Sequence, residues 1–269
     1  MIAQFIDIHN HTLPNIDDGA KSLDMALDML KKSWDLGTSE IALTPHHLNG
    51  AFYNSSSQIV AKFQELENAR IRSNIPLKLH YASEIHLVPE AVGQIVGLQA
   101  LSYNNHGMYV LIEPPKRGLP IGYEGVFGQL LTLGFTPIIA HPERNSEFAQ
   151  NPQYLERLIR MGCKTQLTAQ SVTGDFGESL QRFALNLLDL GLVHFIASDA
   201  HRLNGRSPDL NLSYRFICGR YGQENADNLF YNNPQIVVLG QSALNIRACL
   251  PITSKKQSFL SQWILKLKK

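Results

Sequence analysis

FIDIHNHTLP, residues 5–14, carries an apolar run straight into two histidines placed two positions apart. On an extended strand alternate side chains share a face, so His9 and His11 converge on one point, as metal ligands do. Alone the pair is a weak signal, because a histidine at a strand end is more often a hydrogen-bonded structural group. Its meaning depends on what the other strand ends supply.

Outward from that stretch, short apolar runs alternate with helix-period segments along the chain. FIDIH (5–9), EIALTP (40–45), LKLHYASE (77–84), MYVLIE (108–113), FTPIIAH (135–141), KTQLTA (164–169) and VHFIASD (193–199) have strand lengths and β-branched or aromatic content. Leu23, Leu27, Leu30 and Trp34 form a helical stripe opened by Ser22 and stopped by Gly37. A second helix starts at Asn151–Pro152, buries Leu155, Leu158 and Ile159, and stops at Gly162. A third carries Leu180, Phe183, Leu187 and Leu188 before Gly191. Seven strands alternating with helices imply an α/β fold of parallel βαβ units, either an open doubly wound sheet or a closed barrel.

Bulk properties fit one such domain. The 269 residues are 44% apolar and 17% charged, with no low-complexity segment and no linker before residue 252. We divide the chain into a domain at 1–251 and a tail at 252–269. The net charge of +1 hides an asymmetry: the tail holds five lysines and no acid, leaving 19 basic against 23 acidic residues elsewhere. No basic bias of the kind that nucleic-acid binding leaves is present in the body, so no nucleic-acid partner is expected. Three cysteines without a CxxC pair suit a reducing compartment. Asp7 and His9 interrupt any leader-like stretch, and no 18-residue apolar run exists; a cytoplasmic protein is expected.

The strand ends answer the opening question. Strand one delivers His9 and His11, strand two His46, strand three Glu84, strand four Glu113, strand five His141, and strand seven Asp199 with His201 just beyond. In a parallel barrel all those ends open on one face, where active sites sit. Asp17 and Asp18 of NIDDGAKS can bend over the same face, although Asp-Asp-Gly is also an ordinary turn. GAKS lacks the glycines of a phosphate-binding P-loop. His47, His80, His86, His106 and His194 have no consistent place in the constellation and read as structural.

Five imidazoles and four carboxylates exceed what one ion takes and suit two or three. Mixed N and O donors without thiolate fit manganese, iron, zinc or magnesium. Such a cationic pocket favours an anionic substrate, and Arg144 in HPERN and Arg206 in HRLNGRSP offer forked donors to a phosphate ester. The expected chemistry is hydrolysis by a metal-activated hydroxide. No arginine follows any cysteine at the Cys-x5-Arg spacing, so a cysteine nucleophile is excluded.

The blocks DIHNHTLPNIDDGAKS, TPHHLNG, ASEIHLVPE, VLIEPP, IAHPERN and IASDAHRLNGRSP, in order from about residue 5 to 240, resemble the PHP (polymerase and histidinol phosphatase) superfamily. More narrowly they resemble its bacterial tyrosine-protein phosphatases of capsular and exopolysaccharide biosynthesis, the CpsB/CapC type. The resemblance implies a distorted (β/α)7 TIM-like barrel and a centre of three divalent ions, manganese foremost. His9, His11, Glu84 and Asp199 would hold one ion. Glu84 would bridge to a second, held with Glu113 and His141, and Asp18, His46 and His201 would hold the third. Asp18 is chosen over Asp17 on the family's loop spacing. Arg144 and Arg206 match positions near the phosphate. The implied substrate is a phosphotyrosine protein, a tyrosine autokinase that controls polysaccharide synthesis. His47 departs from members with arginine there.

Loop PPKRGLP (114–120) could rim a phosphopeptide through Lys116 and Arg117, or simply be solvated. In the tail, Phe259, Leu260, Trp263, Ile264 and Leu267 share a helical face, which would suit docking on the body or contact with the inner face of a membrane. Rival expectations are a histidinol-phosphate phosphatase, an amidohydrolase (which lacks its bridging lysine here) and a non-catalytic metal-binding regulatory module.

Overall fold

The computed structural model describes residues 4–250. The tail expected at 252–269 therefore lies outside the described residues. Nine strand segments appear in chain order: β1 (Phe5–Asn10), β2 (Thr38–Leu43), β3 (His46–His47), β4 (Lys78–Tyr81), β5 (Glu84–His86), β6 (Tyr109–Glu113), β7 (Thr136–Ala140), β8 (Lys164–Thr168) and β9 (Phe195–Ala197). Hydrogen bonding groups them as β1-β2-β4 and β3-β5-β6-β7-β8-β9, every pair parallel.

These two groups are one wall. Only Thr44–Pro45 separates β2 from β3, and only Ala82–Ser83 separates β4 from β5. Pairing crosses both kinks, since Ala82 N donates to Leu43 O (2.9 Å) and Glu84 N to Pro45 O (3.0 Å). On the opposite seam Asp199 N donates to His9 O (2.8 Å) and His11 N to Ala200 O (2.9 Å), joining β9 back to β1. The circuit closes as a barrel of seven strands, two of them bent. Pro45 has no N–H to give a ladder, which makes it a natural place for the bend.

Helices cover the outside. Leu23–Asp35 starts at Ser22, whose Oγ accepts from Met25 N (3.1 Å), and gives way to Gly37 at φ 96°. Its buried face is Ala26, Met29, Leu30 and Ser33, not the expected Leu23–Leu27–Leu30–Trp34 stripe; Trp34 is 39% exposed. Leu23 and Leu27 pack partly buried on the same core, and Ser33 satisfies its hydroxyl on Met29 O (2.8 Å). Pro152–Met161 and Glu178–Asp189 follow the expected faces more closely, burying Leu155 and Leu158, and Leu187 and Leu188. Ile6 and Ile8 of β1, Leu111 of β6, Ile138 of β7 and Phe195 of β9 meet in one buried apolar cluster. Among the described residues no helix is long and apolar enough to cross a membrane.

The strands are shorter than the sequence suggests at the end that matters. VHFIASD is strand only over Phe195–Ala197, and His141 lies just past β7. His141 (φ 30°) and Asp199 (φ 50°) both adopt left-handed backbone, which no ladder tolerates. Glu84 opens β5 after the kink instead of closing a continuous strand. The expected donors thus sit on kinks and turns at the barrel mouth rather than on regular strand ends.

Candidate metal centre

The nine predicted donors gather at that mouth. Glu84 is fully buried at their middle, 2.8 Å from His46 Nδ1, 2.9 Å from His141 Nε2, 3.2 Å from His9 Nε2 and 3.3 Å from His11 Nε2. Asp18 reaches His46 Nε2 (3.3 Å) and His201 Nε2 (3.2 Å) from the other side. Glu113 lies 3.7 Å from His46 Nδ1 and 3.9 Å from His141 Nε2. Three groups have donor atoms close enough to share an ion: His11, Asp18, His46 and His201; His9, His11 and Glu84; and His46, Glu84 and Glu113.

The hydrogen bonds around the imidazoles test whether ions fit. His9 Nδ1 donates to Gln166 Oε1 (2.8 Å), His11 Nδ1 to Asp17 Oδ2 (2.7 Å) and His201 Nδ1 to Asp199 O (3.0 Å). Each proton is thereby held on the outer nitrogen, and each Nε2 lone pair faces inward, as ligating histidines require. Nε2 of His9 and of His11 then stand only 3.1 Å apart. His46 Nδ1 and Glu84 Oε2, 2.8 Å apart but misaligned for a hydrogen bond, and Asp199 Oδ1 and His201 Nε2 are buried without hydrogen-bond partners. Inward lone pairs and orphaned oxygens in a closed space are costly unless a cation sits among them. The donor set fits more than one divalent ion.

Against burial, the surrounding carboxylates push His9, His11 and His46 up, toward protonated forms that a bound ion would have to displace. Burial and the neighbouring His11 push His201 down to about 4, so it is neutral near pH 7. Although burial opposes it, the guanidinium of Arg144, with His9 and Arg206, holds the Asp199 carboxyl well below the usual range. The His201 and His46 imidazoles beside it hold the Asp18 carboxyl low.

The adjacent aspartates divide their work. Asp18 points into the cluster, whereas buried Asp17 stands behind it, accepting from His11 Nδ1, Gly19 N (2.8 Å) and His46 N (3.2 Å). Gly19 is required by close approach: a Cβ there would lie 1.9 Å from His11 O.

Beside the cluster lies a cavity of about 420 Å³ lined by Asp18, His46, Glu113 and His141, by Arg144 and Arg206, and by Lys116 of the 114–120 loop. Arg144 Nη1 and Arg206 Nη2 both donate to Asp199 Oδ2, each at 2.6 Å, and Arg144 Nη2 donates to Thr168 Oγ1 (3.0 Å). Asp199 thus turns Oδ2 to two guanidiniums and Oδ1 to His11 (3.4 Å) and His9 (3.5 Å).

Sequence reasoning passed over several residues here. His86 lines the cavity with Nδ1 3.3 Å from Glu113 Oε2, so it does have a place at the site. Gln166 fixes the His9 tautomer, and Asp17, weighed from the sequence only as a ligand in place of Asp18, fixes that of His11. Asn145 donates to Pro115 O (2.6 Å) and Gly118 O (2.8 Å), tying down the 114–120 loop. Glu143 accepts from Thr168 N and Ser171 Oγ behind the site. Only the pairing partners across strands mark these residues, and a single sequence does not show them. His47 turns away, donating Nδ1 to Asn54 O (2.8 Å), and His80 bonds Glu40 (2.6 Å).

A closed parallel barrel with a mixed histidine–carboxylate cluster and paired guanidiniums at its mouth defines a metal-dependent hydrolase of the PHP and amidohydrolase barrel type. Residues 5–239 match the family described as "Capsular polysaccharide synthesis, CpsB/CapC". The putative tyrosine-protein phosphatase CapC of Staphylococcus aureus is 38% identical over 75% of this chain and 78% of its own length. The tyrosine-protein phosphatase CpsB of Streptococcus agalactiae is 30% identical over 87% of this chain and 98% of its own. A solved chain, from work on YwqE of Bacillus subtilis and CpsB of Streptococcus pneumoniae as "unique metal-dependent tyrosine phosphatases", superposes with TM-score 0.85. It is 33% identical, over 92% of this chain and 99% of its own. An amidohydrolase from Mycoplasma synoviae, at 16% identity and TM-score 0.54, shares the fold alone. The chain belongs to the CpsB/CapC family and is a metal-dependent phosphatase of that type.

Proposed function

We propose that the chain hydrolyses phosphotyrosine in a protein substrate at this cavity. The nine donors hold three divalent ions, manganese foremost, in the sets His9–His11–Glu84–Asp199, Glu84–Glu113–His141 and Asp18–His46–His201. The activity is that of a phosphoric monoester hydrolase, and the tyrosine-phosphatase names of the relatives support the ester class. One observation carries the mechanism: Asp199 links the histidine cluster, through Oδ1, to the two arginines, through Oδ2.

Divalent ions bound there supply the Lewis acidity that lowers the pKa of water and polarises phosphoryl oxygens. The chain's own groups do the rest. Arg144 and Arg206, oriented by Asp199 and Thr168, present forked donors to the phosphoryl oxygens along one wall of the cavity. Tautomers fixed by Gln166 and Asp17 keep His9 and His11 as acceptors. None of the three cysteines lines the cavity among the described residues, and burial pushes the Cys163 and Cys249 thiols up to about 12, so no thiolate competes as nucleophile.

The cognate phosphoprotein in this proposal is a tyrosine autokinase of polysaccharide synthesis. The phosphatase domain is 1–251, working in the cytoplasm, and the basic tail at 252–269 brings it to the inner face of the membrane. Equal pelleting of full chain and a 1–251 truncation with anionic liposomes would refute the tail's role. A manganese-supplemented assay compares a phosphotyrosine peptide, a phosphoserine peptide and histidinol phosphate. Phosphotyrosine is expected to win, and preference for histidinol phosphate would sink the proposal. His141→Ala, folded, should lose both hydrolysis and bound metal by elemental analysis.

A further inference from the structure

A second cavity, of about 320 Å³, shares a wall with the first. Arg206 lines the first while its neighbours Gly205 and Ser207 line the second. The Arg144 guanidinium, at the first, lies 5.1 Å over the ring of Phe176, which lines the second. The chemistry of the two is opposite. The first presents guanidiniums and Lys116; the second presents Gln170, Asp175 and Asp209, with no basic side chain among its described lining residues.

Gln170 is only 7% exposed, and its Nε2 donates to Gly205 O (2.5 Å) and toward Ser207 Oγ (3.4 Å), which fixes the amide orientation. Its Oε1 is left buried without a donor. That oxygen is sealed behind the lining, so the acceptors the cavity itself presents are the Asp175 and Asp209 carboxylates. Asp175 accepts from Thr173 Oγ1 (2.5 Å) and Asp209 from Asn211 N (2.8 Å); neither makes an ion pair among the described residues. Phe176 and Leu212, the latter 59% exposed, supply apolar surface between them. Carboxylate acceptors beside an apolar strip match a methylene stem that ends in a cation.

We propose that this second cavity binds a lysine or arginine side chain that flanks the phosphotyrosine of the protein substrate; this rests on the phosphotyrosine reading above. The stem lies along Phe176 and Leu212, and the cationic head meets the Asp175 and Asp209 carboxylates. A flanking glutamate would meet Asp175 and Asp209 and be repelled. The protein would then discriminate among phosphotyrosine sites by the charge of a neighbour, one wall away from the phosphate.

The test is a set of phosphotyrosine peptides on an alanine background with lysine, norleucine or glutamate at each of three positions on either side. The readout is the kcat/KM ratio of lysine to norleucine peptide within each enzyme, from which any general change in activity cancels. Manganese-loaded wild type should show a ratio of about tenfold at one position. The ratio should fall to about one in Asp175→Asn/Asp209→Asn, with Asp175→Asn alone, at an exposed residue, as the variant to read if the double one does not fold. A wild type with no lysine preference at any position overturns the proposal, as does a preference that survives in the variants. If every phosphotyrosine peptide resists hydrolysis while histidinol phosphate is cleaved, the substrate reading itself has failed and the proposal falls with it.

Discussion

Gly19 and Asp17 decide whether the aspartate loop can present Asp18 at all. A methyl group at residue 19 would collide with the His11 backbone carbonyl, which cannot swing away as a side-chain tip could. Gly19→Ala should therefore cost about 3 kcal/mol or more in urea unfolding. Asp17→Asn keeps the shape but removes the charge behind His11 and His46. Metal affinity by calorimetric titration should fall about tenfold to a hundredfold while the fold persists. At this scale the sequence was informative where chemistry repeats: histidines and acids at six of seven strand ends are hard to reconcile with chance. It was silent on the residues that orient them. Gln166 lies 157 positions from His9, and nothing in KTQLTA marks it as the acceptor for that imidazole. His86 reads as structural because it falls two residues past the expected strand LKLHYASE, and nothing in the sequence shows that β5 runs on to carry it to the cavity.

The elements were legible from periodicity, and their breaks were not. Seven apolar runs gave seven strands, but two of those strands bend, at Thr44–Pro45 and Ala82–Ser83, and the bends are what bring His46 and Glu84 over the mouth. An apolar run reads the same straight or kinked. The first helix shows the related failure, since spacing alone cannot tell the Leu23–Leu27–Leu30–Trp34 stripe from the overlapping Ala26–Met29–Leu30–Ser33 face that is fully buried. Connecting loops are fixed by single side chains. Asn145 uses its amide to hold both Pro115 and Gly118 carbonyls and its Oδ1 to accept from Phe148 N (2.8 Å). Asn145→Ala should lower stability by about 1–3 kcal/mol. It should also raise KM for phosphotyrosine peptides more than for the small ester para-nitrophenyl phosphate, because the 114–120 loop carries Lys116 at the cavity edge. An equal change for both substrates would deny the loop a part in peptide binding.

Stability of the whole molecule should depend on pH through a histidine far from the chemistry. His194 is buried, its Nδ1 turned to the Thr165 hydroxyl (3.1 Å), and burial, with the Lys164 charge, pushes it down to about 3. In the unfolded chain it takes a proton near 6.5. As pH falls from 6.5 toward 3 the unfolded state binds a proton that the folded state refuses, so stability is full above 6.5 and declines below it. Urea unfolding of wild type between pH 7 and 5 should lose up to about 1.4 kcal/mol per pH unit below 6.5 through this group. His194→Gln should show a correspondingly shallower slope. The closed barrel also follows from what the sequence offered, an open sheet or a barrel, but only the β9-to-β1 seam chooses between them. There the buried Asp7 accepts from Ser198 N (2.9 Å) and Ser198 Oγ (2.5 Å), a link 191 residues long. The pairing of both guanidiniums with Asp199 has a further consequence. Their direction was set when the chain folded, so an arriving dianion meets donors already aimed. Its capture is then expected to depend more on fit than on long-range attraction, and added salt should weaken it only modestly.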